Sequence, residues 1–214
     1  MESPRLVIWD WNGTLLDDTK LCYDIANIMR NERGMRPLDG LAEYKTVFRF
    51  PIVDYYRAMG YTFETESYED ISVEFIQRYA DMVPSCGLHA DVIPTLTALQ
   101  SKHVPMVLLS ATGYEKLMEQ TAMFGIQSYF EKILGMHNDL AYGKASLAKN
   151  FIEQNHFAPD QVLFVGDTDH DYAVASGVGC RCLLLTNGHQ GRTTLEKCGV
   201  PVGDQVSDVL AYFE

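Results

Sequence analysis

Four short apolar runs, at residues 6–9, 105–109, 162–165 and 182–185, each stop at a polar or turn residue. Runs apolar at successive rather than alternate positions suit strands buried on both faces, although a buried helix segment has the same pattern. Helix-length segments at 90–100, 114–123, 145–154 and 171–176 separate them. Strands that alternate with helices pair in parallel and need helices on both faces. The expected class is therefore α/β, with a parallel sheet flanked by helices.

Between about 17 and 84 the pattern changes. Leu21, Ile25, Ile28 and Met29 keep helical spacing, and Gly34 is placed to stop that helix. Pro51 is placed to open a short helix ending near Gly60, and Arg49 falls on a helix expected before it. Ser67 with Asp70 has the form of a capping box, followed at helical spacing by Ile71, Phe75, Tyr79 and Met82. A small helical unit at 17–84 is thus expected as an insertion into a core made of 1–16 and 85–214, its Met and aromatic residues serving as core.

Charge narrows the partners. The chain of 214 residues carries 29 acidic and 17 basic side chains, for a net charge of −12. That balance opposes non-specific binding to nucleic acid or anionic membranes. A phosphorylated small molecule stays open, because one local cation outweighs a distant net charge. No apolar stretch approaches the roughly 18 residues that span a bilayer. Asp10 interrupts the short N-terminal apolar run, so no secretory signal is expected. The cysteines (22, 86, 180, 182 and 198) form no Cys-x-x-Cys pair and read as buried thiols, and a reducing cytoplasmic setting is expected.

Four segments carry chemistry. In Leu6-Val7-Ile8-Trp9-Asp10-Trp11-Asn12-Gly13-Thr14, a buried strand delivers Asp10 at its C-terminal end, where open α/β sheets bind ligands. Strand-end Asp and Asn making ordinary turn bonds is an equal reading, while a calcium loop lacks its closing Glu because Leu21 stands there. Ser110 and Thr112 follow another strand, as helix caps or as part of an anion site. Lys144 follows Tyr142-Gly143 and taken alone is a solvated lysine. Gly166-Asp167-Thr168-Asp169-His170-Asp171 ends a third strand, and converging Asp167 and Asp171 suit a hard divalent cation. The competing reading is a solvated acidic turn, with His170 exposed or capping.

Taken in order, Asp10-x-Asn12-Gly13-Thr14, Ser110, Lys144 and Gly166-Asp167-x-x-x-Asp171 closely resemble the haloacid dehalogenase superfamily of phosphatases, over nearly the whole chain. The helical insertion stands where the phosphoglycolate-phosphatase-like branch carries a cap. Thr186-Asn187-Gly188-His189 and the segment to Ser207-Asp208-Val209-Leu210 look like the same branch. The resemblance implies a Rossmann-like core with a helical cap, and a Mg²⁺-dependent phosphatase acting on a small phosphorylated metabolite through an aspartyl-phosphate. It implies Asp10 as nucleophile and Mg²⁺ on Asp10, the Asn12 backbone carbonyl and Asp167, supported by Asp171. Ser110 and the Ala111 amide would hold phosphoryl oxygens, and Lys144 would screen charge.

Phosphonoacetaldehyde hydrolases have a similar opening but need a cap lysine, and residues 50–53 contain none. Asn12 is the departure from the phosphatase pattern. The family usually has a second Asp there as general acid and base, and Asn cannot transfer that proton. A good leaving group, a proton from the cap (Tyr44, Arg49 or Asp54), or a phospholigand-binding role with weak turnover would each accommodate it. Arg49 is the candidate substrate contact from the cap, with a solvated surface arginine as the competing reading.

Overall fold

The computed structural model describes residues 2–136 and 143–213. Its strands are β1 (Leu6–Trp9), β2 (Leu16–Asp17), β3 (Gly87–Leu88), β4 (Met106–Gly113), β5 (Lys132–Met136), β6 (Val162–Gly166), β7 (Arg181–Leu185) and β8 (Val202–Gly203). The α-helices are α1 (Thr19–Glu32), α2 (Gly40–Val47), α3 (Ile52–Ala58), α4 (Tyr68–Met82), α5 (Val92–Ser101), α6 (Tyr114–Met123), α7 (Lys144–Gln154), α8 (Asp169–Val178) and α9 (Arg192–Leu195). Six strands make one parallel sheet in the order β5-β4-β1-β6-β7-β8. β2 and β3 pair separately as a short antiparallel ribbon.

The apolar runs explain the layering. β1 lies between β4 and β6, and all four of its side chains are wholly buried. Because strand side chains alternate between faces, they divide into two cores. Val7 and Trp9 pack with Met106, Leu108 and Val165 against Ile25 of α1, Leu96 of α5 and Leu117 of α6. Leu6 and Ile8 pack with Val107, Leu109 and Phe164 against Ala148 of α7 and Val174 of α8. A sheet covered on both faces is what parallel pairing requires.

Helices α1 to α4 lie between β2 and β3. Their buried Met29, Tyr44, Tyr55 and Ile71 belong to the same apolar cluster as Trp9 and Trp11 of the sheet side. Ser67 caps α4 by accepting the Asp70 N–H at 3.0 Å, and Pro51 stands at the N-cap of α3.

Several expectations need correction. β4 runs on through Ser110, Ala111 and Thr112 to Gly113, so the N-cap of α6 is Gly113. Pairing with β5 at Leu109 and Gly113 brackets these polar residues, and its register shifts between the two. Such an irregularity re-aims side chains, here beside the sheet's C-terminal edge. β5 and β8 carry too little apolar sequence to stand out. Arg49 lies in the link between α2 and α3 and on neither helix. All cysteines are free thiols. Among the described residues no helix is long and apolar enough to cross a membrane.

Candidate active site

Three adjacent strands bring the chemistry together. Asp10 follows β1, Asp167 follows β6, and Ser110 lies in β4. Asp10 N–H still bonds the Val165 carbonyl at 2.9 Å, so the β1–β6 ladder fixes where its side chain leaves the sheet. Carboxylate oxygens of Asp10, Asp167 and Asp171 lie within 4.8 Å of one another. Lys144, the first residue of α7, donates to Asp10 Oδ1 and Asp171 Oδ1 at 2.5 Å each. Tyr142, two residues earlier, falls outside the described residues.

Asp171 serves two purposes. Its Oδ2 accepts from the Thr168 N–H (3.1 Å), the Thr168 hydroxyl (2.7 Å) and the Asp167 N–H (3.2 Å), completing the capping box of α8. Its Oδ1 remains for Lys144. Thr14 ties the first two carboxylates together, its hydroxyl 2.9 Å from Asp167 Oδ1 and 3.3 Å from Asp10 Oδ2.

The cluster is short of positive charge. None of the three acids or Lys144 is more than 7 % exposed. Burial pushes the Asp10 carboxyl up to about 7 against the pull of Lys144, with repulsion from Asp171 and Asp167 adding to it. Burial likewise raises Asp167 to about 6, outweighing the opposing charge of His189. Burial acts upward on Asp171 too, but Lys144 and the Thr168 hydroxyl hold it below the usual carboxylate range. Three carboxylates sharing one ammonium leave a deficit of two positive charges, and all the donors are hard oxygens. The donor set fits Mg²⁺, which takes few carboxylates and keeps water and substrate oxygens in its remaining positions.

A second, partly buried network begins at Asn12. Its amide nitrogen donates to Asp18 Oδ2 at 2.9 Å and to the Tyr79 hydroxyl at 2.7 Å, and its amide oxygen accepts from the Thr112 hydroxyl at 2.9 Å. Tyr79, on α4, donates to the same Asp18 oxygen at 2.6 Å. His189 Nε2 is 3.3 Å from Asp18 Oδ1, and its Nδ1 is 2.9 Å from the Tyr44 hydroxyl on α2. Burial disfavours charge on both Asp18 and His189. Their mutual attraction prevails, holding Asp18 below its usual range and His189 above its own. Asn12 faces that ion pair with donors, which a carboxylate could not supply.

Glycines set the clearance around the acids. A Cβ on Gly188 would stand 2.1 Å from Asp167 Oδ2, one on Gly13 2.4 Å from the same atom, and one on Gly166 2.4 Å from Asp171 Cβ. Gly13 also has φ +73°, in the region that favours glycine.

The sequence model for haloacid dehalogenase-like hydrolases matches residues 7–185, spanning every one of these carboxylates. The chain belongs to this family. Phosphoglycolate phosphatase 1 of Pseudomonas aeruginosa is 26% identical over 215 residues, covering 97% of this chain and 79% of that protein. Tyrosine-protein kinase PtkA of Mycobacterium tuberculosis is also 26% identical, covering 94% and 68%. A haloacid dehalogenase-like hydrolase structure from Streptococcus pneumoniae superposes with a TM-score of 0.77 at 21% identity, covering 100% of both chains.

Within this family member, the expected site residues separate into two groups. Asp10, Asn12, Ser110, Lys144, Asp167 and Asp171 gather at the C-terminal edge of the sheet, and Ala111 lines the adjoining cavity. Arg49 does not join them: its exposed guanidinium bonds the Val47 and Thr46 carbonyls, and it is absent from the cavity wall. Asp54 pairs with Arg57 at the surface, whereas Tyr44 reaches His189. His170 stacks on Phe50 with centroids 4.6 Å apart. Asp18, Tyr79 and His189 were not among the expected site residues: Tyr79 read as core and His189 only as part of the resemblance at 186–189. The available signals were Asp17-Asp18 directly after the first motif and the His after Asn187-Gly188.

Proposed function

We propose that this hydrolase is a Mg²⁺-dependent phosphomonoesterase that acts on a small phosphorylated metabolite through an aspartyl-phosphate on Asp10. The observation that carries the reading is a strand-end carboxylate held by a buried lysine beside two further carboxylates, all within 4.8 Å. The relative named phosphoglycolate phosphatase supports the same class.

Lys144 orients the Asp10 carboxylate and offsets its charge as an anionic substrate approaches. An Asp10 oxygen attacks phosphorus, and the bond from phosphorus to the leaving oxygen breaks. Water then cleaves the acyl phosphate, releasing phosphate and restoring Asp10. The Ser110 hydroxyl and Ala111 N–H receive the phosphoryl oxygens, so the work is largely positioning and charge stabilisation. Asp10, the Asn12 backbone carbonyl, Asp167 and Asp171 would hold Mg²⁺, which when bound supplies positive charge to the phosphoryl group. Residues 17–84 act as a cap over the core of 1–16 and 85–214, excluding water. The free thiols suit a reducing compartment such as the cytoplasm.

One observation favours a second reading, a phospholigand-binding protein with weak turnover: position 12 is an amide whose hydrogen bonds are already taken. A phosphate-release screen with Mg²⁺, with Asp10→Ala as control, decides. Asp10-dependent release supports the phosphatase, and release that survives Asp10→Ala overturns the nucleophile. Saturable ester binding without release supports the second reading.

A further inference from the structure

A cavity of about 390 Å³ opens from the site into the helical insertion. Its lining includes Asn12, and Ala111 and Thr112, which follow Ser110 in β4. Its remaining wall is largely aromatic and aliphatic, including Phe48, Tyr55, Tyr56, Tyr68, Phe75 and Ile76. No lysine or arginine among the described residues lines it. Its charged groups are Asp18 and His189, which are already paired with each other.

The cations of the insertion are committed elsewhere. Arg33 holds Glu66 and Glu74 at 2.7 and 2.6 Å, and Arg30 is spent on the Met59 and Arg36 carbonyls. Lys45 donates to the Thr186 carbonyl at 2.7 Å, and Arg49 lies outside the cavity. A leaving group bearing a carboxylate, as in phosphoglycolate, would enter this space with hydroxyls such as those of Tyr55 and Ser72 to meet but no cationic partner, and burying a charge without a counter-charge is costly. A flat apolar group would meet a largely aromatic wall instead.

Resting on the phosphatase reading, we propose that the preferred substrates are phosphate monoesters of uncharged aromatic hydroxyls, the ring occupying the cavity between Phe48, Tyr68 and Phe75. Asn12 points the same way by separate chemistry. Attack on the ester expels the oxygen that was bound to phosphorus, together with its bonding electron pair. An alkoxide needs a proton at that moment, and Asn12 has none to transfer. A phenol-type hydroxyl ionises near pH ~10, whereas water ionises near ~15.7, so a phenoxide departs with its charge and takes a proton from solvent afterwards. Cavity lining and missing acid thus select the same leaving group.

Steady-state hydrolysis of phenyl, 2-naphthyl and benzyl phosphate is compared with that of 2-phosphoglycolate and glycerol phosphate, using the full chain with Mg²⁺. The aryl esters are expected to exceed phosphoglycolate in kcat/KM by about 100-fold, within the reach of a pocket that leaves a buried charge unpaired. Benzyl phosphate, which has the ring but an alkoxide leaving group, should match phenyl phosphate in KM and fall below it in kcat. Phe75→Ala should raise KM for naphthyl phosphate more than for glycerol phosphate. Calorimetric titration of 2-naphthol into the metal-free protein should show saturable binding that Phe75→Ala weakens. Asp10-dependent hydrolysis in which phosphoglycolate equals or exceeds the aryl esters overturns the proposal and leaves the phosphatase reading intact. If no ester is hydrolysed the phosphatase reading fails, and the naphthol titration alone then decides the cavity: binding upholds an aromatic pocket and its absence overturns it.

Discussion

Asn12→Asp would place a carboxylate beside Asp18, and the structure assigns it a cost. The Asn12 amide nitrogen is 2.9 Å from Asp18 Oδ2, and Asp18 is held ionised. Two negative charges at that separation repel by about 6 kcal/mol at an effective dielectric of about 20. His189 is already committed to Asp18 and Tyr79 already donates to it, so the new pair would relieve the repulsion by keeping one proton. Its folded-state pKa then lies above that of the unfolded carboxyls, and the folded protein binds a proton that the unfolded chain has released. Stability relative to the parent therefore falls as pH rises above the ordinary carboxylate range, by about 1.4 kcal/mol per pH unit. From about pH 5 to about pH 8 the added loss approaches about 4 kcal/mol, or roughly 8–16 °C in Tm for a chain of this size. Thermal denaturation of parent, Asn12→Asp and Asn12→Leu in metal-free buffer across that range measures it, the Leu variant showing what loss of the amide alone does. A gap between Asn12→Asp and parent that stays constant with pH refutes the reasoning. The retained proton is also the one an alkoxide needs, so Asn12→Asp should hydrolyse alkyl phosphates faster than the parent, most clearly below neutral pH.

Lys144→Met removes the cation shared by Asp10 and Asp171. Stripping one partner from a buried ion pair costs about 3–5 kcal/mol, measurable by urea denaturation, and a loss below about 1 kcal/mol would show that protonation alone neutralises the acids. In the metal-free protein, Asp10 and Asp167 are raised to about 7 and about 6. Their contribution to stability is therefore present below the unfolded carboxyl value near ~4 and is lost as pH rises through the folded values. The Tm gain on adding Mg²⁺ should accordingly be larger at about pH 8 than at about pH 5, and equal gains would remove charge neutralisation as its cause.

Strands β1, β4, β6 and β7 were legible because burial on both faces demands unbroken apolar runs. β5, Lys132-Ile133-Leu134-Gly135-Met136, was not, since a strand beside only one neighbour tolerates a lysine and a glycine. The polar end of β4 was hidden for another reason: pairing at Gly113 with Met136 overrides the turn preference of Ser110 and Thr112. At the site, order along the chain pointed to Asp10, Lys144, Asp167 and Asp171, because each ends a strand or starts a helix next to one. Asp18 carried the same marker, standing between β2 and α1 as the N-cap of that helix, whereas Tyr79 and His189 had none. The partnership of the three joins the N-cap of α1, a residue of α4 and a residue after β7, which no local pattern encodes.

Gly13, Gly166 and Gly188 stand at or after the ends of β1, β6 and β7, and each leaves vacant the space that an aspartate fills. At these positions a single added carbon is harmful because of which atoms it would displace. In a mutational scan they would be scored as folding defects, grouped with core substitutions and apart from the acids. Yet each displacement would shift Asp167 or Asp171 in a cluster where their charges must converge. Loss of function at the three glycines would thus report on the seating of charge, and residual thermal stability is the wrong yardstick for it.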